Sequence, residues 1–262
     1  MSKLLLEERH QIIRETLLKH GKVTVSGLAK KFNISMETVR RDLDFLEKAG
    51  ELKRTHGGAV KFLYHDNREP YFDLKMTAYK EEKDRIAKAA CNEIQDGDTI
   101  ALDTGTTTAH MCKYLTTKKN LTIIVNNFYI LEQLINYCNN GLLKCNLFSV
   151  GGEVNTSQRS CIGTLAEQYL NDIYVDKAFI SPTGFSLENG FSSLNTYEAA
   201  ISKKLISIAK ETFMLLDRSK IGVNNFYRIN HISSDISIIS DIDVPHEWEK
   251  ELKIIGCSWI KA

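Results

Sequence analysis

Residues 35–50 read SMETVRRDLDFLEKAG. Val39, Leu43 and Leu46 recur at three- and four-residue spacing, so a helix gathers them on one face. Ser35 offers that helix a cap and Gly50 a stop. Glu37, Arg40, Arg41 and Asp44 fall opposite the apolar stripe. Just upstream, Leu28, Ala29 and Phe32 mark a shorter helix that Thr24 can cap and Asn33 can end, and two such helices across a tight turn make a helix-turn-helix. Further out, Leu5, Leu6, Ile12, Ile13 and Leu17 repeat at helical spacing until Gly21. Downstream, 51–55 and 59–62 flank His56, Gly57 and Gly58: a strand, a glycine turn and a strand. Residues 1–62 therefore read as a winged helix-turn-helix.

The charge divides at the same place. Residues 1–62 hold 13 Lys and Arg against 8 Asp and Glu, while the rest of the chain holds 21 against 25, so a net charge of +1 conceals a basic head and a mildly acidic body. Two adjacent arginines near the start of an exposed helix face can reach a base edge and a phosphate from one groove, and Lys53 and Arg54 on the wing would add backbone contacts. On charge alone a solvated face, with Arg41 paired to Asp42, is the simpler reading. The whole arrangement of helix-turn-helix, paired arginines and basic hairpin points to double-stranded DNA.

At 262 residues, with 43% hydrophobic and 26% charged residues and only 3 Pro, the chain has the composition of a folded globular protein long enough for two domains. No apolar run approaches the roughly 20 residues that a bilayer crossing needs, and the opening MSKLLLEERHQII meets charge too soon for a signal peptide, so the protein is expected in the cytoplasm, with no membrane partner. The six cysteines form no C-x-x-C pair and no His stands at ligand spacing from one, which predicts reduced, mostly core thiols and no metal.

Residues 63–78, LYHDNREPYFDLKMTA, lose the helical period and read as an interdomain connection. Beyond it strands and helices alternate. Helices are expected over 79–94, 107–115, 128–138, 196–210 and 245–252, and strands over 99–102, 121–125, 144–150, 177–181, 213–216, 236–240 and 253–260. That alternation predicts an α/β domain with a mainly parallel sheet over 79–262.

In this body, DTGTTT at 103–108 follows a strand and opens a helix. Such a turn presents free N–H groups and the positive end of the helix dipole, and small residues let an anion come close, so Asp103, Thr104, Gly105, Thr106, Thr107 and Thr108 form a candidate phosphate site. A Thr-rich turn is also an ordinary cap. Other strand ends carry Asn126 and Asn127, Gly151 and Gly152, Thr183 and Gly184, and Asp217 to Lys220; in an open parallel sheet these ends converge on one crevice. Glu198, in a first helical turn, could join them or simply compensate the helix dipole. Asp217 and Lys220 could equally be a turn pair.

The spacing of Arg9, Ile13 and Leu17 ahead of SMETVRRDL at 35–43, and RTHGGAV at 54–60, resembles the signature and wing of the DeoR family of bacterial transcriptional regulators. The body resembles the family's sensor domain, which is similar to ribose-5-phosphate isomerase and the CoA-transferase fold, in DTGTTT, GGEV (151–154), Gly163 of CIGTLAEQYL, VDKAFISPTGF (175–185), Glu198 with Ala199, and LLDRSKIG (215–222). The resemblance implies Ser35, Thr38, Arg40 and Arg41 at the DNA-facing start of a recognition helix, with Lys53, Arg54 and His56 on the wing. It also implies a phosphorylated sugar or related metabolite near 103–108, Asp217 and Lys220. Asn127, Gly151, Gly152, Gly184 and Glu198 complete the candidate effector set. Two positions depart from the family pattern: Asn126 stands where Thr is usual, and Ser202 where a basic residue is common after the Glu.

The leading expectation is a non-enzymatic regulator, a repressor of sugar or sugar-derivative metabolism that binds operator DNA as a homo-oligomer under a phosphorylated effector, without a cofactor. The rival is a sugar-phosphate isomerase with Asp103 or Glu198 as base, and a third is a small-molecule-binding module in a structural complex.

Overall fold

The computed structural model describes residues 5–48, 52–61 and 69–262. Gly50, the ends of the wing at Glu51 and Phe62, and 63–68 of the expected connection lie outside the described residues, as does the side chain of Lys53. The chain divides into two compact units, Met1–Ala78 and Tyr79–Ala262.

In the first unit, helix Leu6–His20 stops where Gly21 turns left-handed at φ 71° and returns its N–H to the Leu17 carbonyl. Helix Val25–Phe32 begins at Thr24, whose hydroxyl accepts from Gly27 N–H, and ends at Asn33 with φ 54°. Helix Met36–Lys48 follows. Ile13, Leu17, Leu28, Phe32, Val39, Leu43 and Leu46 meet in one core. Leu5 and Leu6, expected in that apolar stripe, are 70% and 53% exposed, because they stand at the helix entrance beyond the reach of the core. The wing strands Leu52–Thr55 and Gly58–Lys61 pair antiparallel, and a third strand that the sequence reading missed, Lys22–Thr24, adds to the outer side of Gly58–Lys61. Gly58 makes that closure possible: a Cβ there would lie 2.0 Å from the Val23 carbonyl oxygen. Within 63–78, read as lacking helical period, residues Phe72–Thr77 form a helix too short to display one, with Phe72 buried.

The second unit is built on seven parallel strands in the spatial order Ser258–Lys261, Ile236–Ser240, Ala209–Leu216, Val175–Ile180, Thr99–Leu102, Leu121–Val125, Cys145–Ser149. The chain enters at Thr99–Leu102, moves outward to one edge, then returns to Val175–Ile180 and moves outward to the other. The order therefore reverses between these two central strands, and the crevice outside their carboxyl ends is the topological switch point at which open α/β sheets bind ligands. Two smaller antiparallel sheets, Glu153–Asn155 with Ser160–Ile162, and Gly184–Ser186 with Gly190–Ser193 and Tyr227–Asn230, were missed, as was helix Thr164–Tyr169. Of the boundaries that shift from expectation, two have a plain cause. Helix Thr196–Ser207 ends before 210, because Ala209 already pairs with Val175 in the sheet. The expected strand over 253–260 begins as helix Glu249–Ile255, which Gly256 closes in the left-handed region before strand Ser258–Lys261. Among the described residues, no helix is long and apolar enough to cross a membrane.

Candidate functional site

In the first unit the Ser35 hydroxyl accepts from Thr38 N–H at 3.1 Å and lies 2.8 Å from the Thr38 hydroxyl, so both residues define the start of helix Met36–Lys48. Arg40 and Arg41 point outward, 53% and 79% exposed, each loosely beside Glu37 at 3.5 and 3.7 Å. The Arg41–Asp42 pairing of the solvated-face alternative does not form. Asp42 faces the core and takes both arms of Arg9, Nε at 2.7 Å and Nη2 at 2.9 Å, with the two side chains 10% and 3% exposed. The hydrogen bond to Asp42 raises the Arg9 pKa further, against the lowering effect of burial. His10 lies 3.5 Å from the same carboxylate and stacks on Phe45. Asp42 thus fixes the angle of one helix against another from behind, a role the sequence reading missed because Asp42 follows the two arginines directly.

Arg54 lies on the wing strand Leu52–Thr55, as expected, and has partners of its own there. Its guanidinium donates to the Arg40 carbonyl at 3.1 Å, pairs with Asp44 at 3.0 Å and is 20% exposed, so it ties the wing to the helix. His56 stands exposed at the tip of the turn.

In the second unit, loop 103–108 sits at the switch point. Asp103 N–H donates to the Phe179 carbonyl, and a Cβ on Gly105 would lie 2.4 Å from the Ser181 Cβ, so only glycine lets the loop lie against the neighbouring strand end. The Asp103 carboxylate is 1% exposed and turned inward: Oδ1 accepts from Thr104 N–H at 2.8 Å and from Asn126 Nδ2 at 3.3 Å, and Oδ2 accepts from the Ser202 hydroxyl at 2.6 Å. Asn126 and Ser202, the two departures from the family pattern, therefore meet on one carboxylate. Thr108 closes the loop with its hydroxyl donating to the Asp103 and Gly105 carbonyls, each at 2.8 Å. Thr106, Thr107 and Thr108 open helix Thr106–Leu115 and are buried.

Asn127 caps helix Phe128–Asn139 by accepting from Tyr129 and Ile130 N–H, and its Nδ2 donates to Thr104 Oγ1 at 2.8 Å and to the Gln158 carbonyl at 2.9 Å. Gln158, which the sequence reading passed over, reaches the loop through a backbone carbonyl and so leaves no side-chain signal. From the other side Lys220 Nζ donates to Ser181 Oγ at 3.2 Å and lies 3.7 Å from Asp217 Oδ2. Burial pushes the Asp217 carboxyl up, but Lys220, the hydrogen bonds from Ser219 and nearby Lys83 outweigh it and hold the pKa below its ordinary value.

The structure thus gathers 103–108, Asn127, Asp217 and Lys220 around the crevice. The remaining predicted residues have contacts of their own. Gly151 and Gly152 follow the edge strand Cys145–Ser149, where a Cβ on Gly152 would lie 2.7 Å from the Ile162 carbonyl oxygen. Gly184 belongs to an antiparallel strand, packed 2.5 Å from the Val223 carbonyl oxygen by the same measure. Glu198 binds the hairpin, its Oε1 accepting from Asn155 Nδ2 at 2.8 Å and Ser160 Oγ at 2.5 Å. The isomerase reading needs Asp103 or Glu198 as a base, yet both carboxylates already accept hydrogen bonds from their neighbours.

Comparison with known proteins agrees with this division. Residues 9–62 match the DeoR-like helix-turn-helix domain and 78–242 the DeoR C terminal sensor domain. The chain is 34% identical to YulB, an uncharacterized HTH-type transcriptional regulator of Bacillus subtilis (strain 168), over 91% of this chain and 90% of that one. It is 33% identical to the transcriptional repressor AccR of Agrobacterium fabrum (strain C58 / ATCC 33970), over 82% and 81% respectively. Among solved structures, ribose 5-phosphate isomerase A of Methanocaldococcus jannaschii aligns with a TM-score of 0.40 at 19% identity over 55% of each chain, a likeness too slight to bear on activity. With both of its parts matched and relatives aligned along most of its length, the chain belongs to the DeoR family and is a DNA-binding transcriptional regulator.

Proposed function

We propose that the protein is a repressor of genes for sugar or sugar-derivative metabolism, released or engaged by a phosphorylated sugar-type effector. The carrying observation is loop 103–108 at the switch point, with the N-terminus of helix Thr106–Leu115 on one side of the crevice and Lys220, 3.2 Å from Ser181, on the other. Backbone N–H groups, a helix dipole and one ammonium suit a dianionic phosphate. Asp103 is the internal anchor of the loop in this reading, and the Thr104 and Asn127 side chains join it to the neighbouring helix. Asp217 holds Lys220 in place. Gly151, Gly152, Gly184 and Glu198 support the surrounding loops.

On the DNA side, Ser35, Thr38, Arg40 and Arg41 face the major groove, His56 and Lys53 contact the phosphates from the wing, and Arg54 braces the wing. Half-site recognition requires a symmetric homo-oligomer assembled through the second unit. The test is operator binding by the purified chain with and without a panel of sugar phosphates, in wild type and Lys220→Met. The expected result is an unchanged operator affinity in the variant and a lost effector response. A normal response in Lys220→Met refutes the phosphate site. Substituting Gly105 is no test of charge, because any side chain there collides with Ser181.

A further inference from the structure

Four of the six cysteines, Cys91, Cys112, Cys161 and Cys257, are buried, as a core-thiol reading expects. Cys138 and Cys145 are only partly buried, and their sulfurs are 3.7 Å apart. The turn between them explains the approach. Helix Phe128–Asn139 ends beside Cys138, Gly141 adopts φ 70° and donates its N–H to the Cys138 carbonyl at 3.0 Å, and the chain reverses into the edge strand Cys145–Ser149, which begins with the second thiol. A disulfide needs its sulfurs at about 2.05 Å, a closure that rotation of two partly exposed side chains can supply. We infer that Cys138 and Cys145 are an oxidisable dithiol that closes to a reversible disulfide at the edge of the sheet, with a low-molecular-weight disulfide of the glutathione type as oxidant.

The exchange proceeds in two displacements. The Cys138 thiolate attacks one sulfur of the small disulfide, whose S–S bond breaks and releases one small thiolate. The Cys145 thiolate then attacks the Cys138 sulfur of the mixed disulfide, the new intramolecular S–S bond forms, and the second small thiolate leaves. The two protons given up by the cysteines end on the two small thiols. In sum both cysteines are oxidised and the small disulfide is reduced. Burial and the neighbouring Cys138 push the Cys145 thiol up to about 12, and the same balance holds with the two thiols exchanging roles.

The sequence supplies a clean readout. Lys144 separates the two cysteines, so trypsin releases Cys138 in peptide 120–144 and Cys145 in peptide 145–159, each with a single cysteine. The full-length native protein is incubated with oxidised glutathione, blocked with an alkylating agent, digested and analysed by mass spectrometry without reduction. The expected product is peptide 120–144 joined to 145–159, two hydrogens lighter than the sum of the free peptides and separated by dithiothreitol, with four of the six thiols still alkylated. Cys145→Ser is expected to stop at glutathione on Cys138. Recovery of both peptides alkylated, of each carrying its own glutathione, or of either joined to one of the four buried cysteines overturns the inference. Should Cys145→Ser fail to fold, the wild-type peptide map decides alone.

Discussion

The polar groups of the two candidate sites are disposed in opposite ways. On helix Met36–Lys48, Arg40 and Arg41 stand 53% and 79% exposed, and Glu37 beside them is itself mostly in water. At the switch point, Asp103 and Asp217 are 1% exposed and Thr107 and Thr108 fully buried, with the carboxylates engaged by Ser202, Thr104, Asn126 and Ser219. A surface meant for a polyanion can leave its cations solvated, since hydration and counterions are exchanged on binding. A crevice for a small ligand must keep its groups aligned beforehand, and inside a protein alignment means mutual hydrogen bonding. Substitution should therefore separate binding from stability on the helix and entangle the two in the crevice.

The strongest challenge to this contrast comes from a pair of neighbours. Asp42→Ala leaves the Arg9 guanidinium buried without its carboxylate, and we expect a loss of about 3–5 kcal/mol in stability, read by urea unfolding. Arg41→Ala and Arg40→Ala should leave the unfolding curve in place and each weaken operator binding by about 1–3 kcal/mol in a titration. Equal stability losses at 41 and 42 would erase the distinction. In the crevice, Ser202→Ala removes a donor from the buried Asp103 and should cost about 1.5 kcal/mol of stability, together with a weakened effector response; a change in response at unchanged stability would show a crevice less interlocked than described.

The smallest effect is electrostatic. The Asp217 carboxyl ionises below its ordinary value of 3.8 in the folded protein, so in acid the unfolded chain binds the proton first. Its contribution is complete above that value and disappears as pH falls through the depressed one. Lys220→Met should thus lower stability at neutral pH by an amount that shrinks during acid titration below pH 4. A difference that stays constant down to the acid transition would assign the Lys220 effect to packing.

Much of this was legible in the sequence because the relevant signals are local. The caps at Thr24, Ser35 and Gly21 and the strand-loop-helix at 103–108 depend on residues within one turn of each other. The missed strands have three or four residues, fewer than alternation needs to become visible, and Lys22–Thr24 exists only because Gly58 lets the wing approach. The candidate crevice was readable as far as the placement of loop 103–108 and Lys220. Its interior was not, because the partners of Asp103 lie 23 and 99 positions away in Asn126 and Ser202. The partners of Arg54 were equally hidden: Asp44 and the Arg40 carbonyl lie 10 and 14 positions away from this basic wing residue.

The buried Arg9–Asp42 clamp also bears on how genetics would portray this protein. Under the proposed repressor function, a selection for mutants that no longer silence a reporter would return alleles at 41 and 42 side by side, and mapping alone would draw one continuous DNA-reading stretch. Changing the operator separates them. Under the proposed docking, a base change can restore a partner to a new side chain at 41, whereas no operator sequence can replace the carboxylate lost at 42, so alleles there would yield only to second mutations at Arg9 or to lower growth temperature.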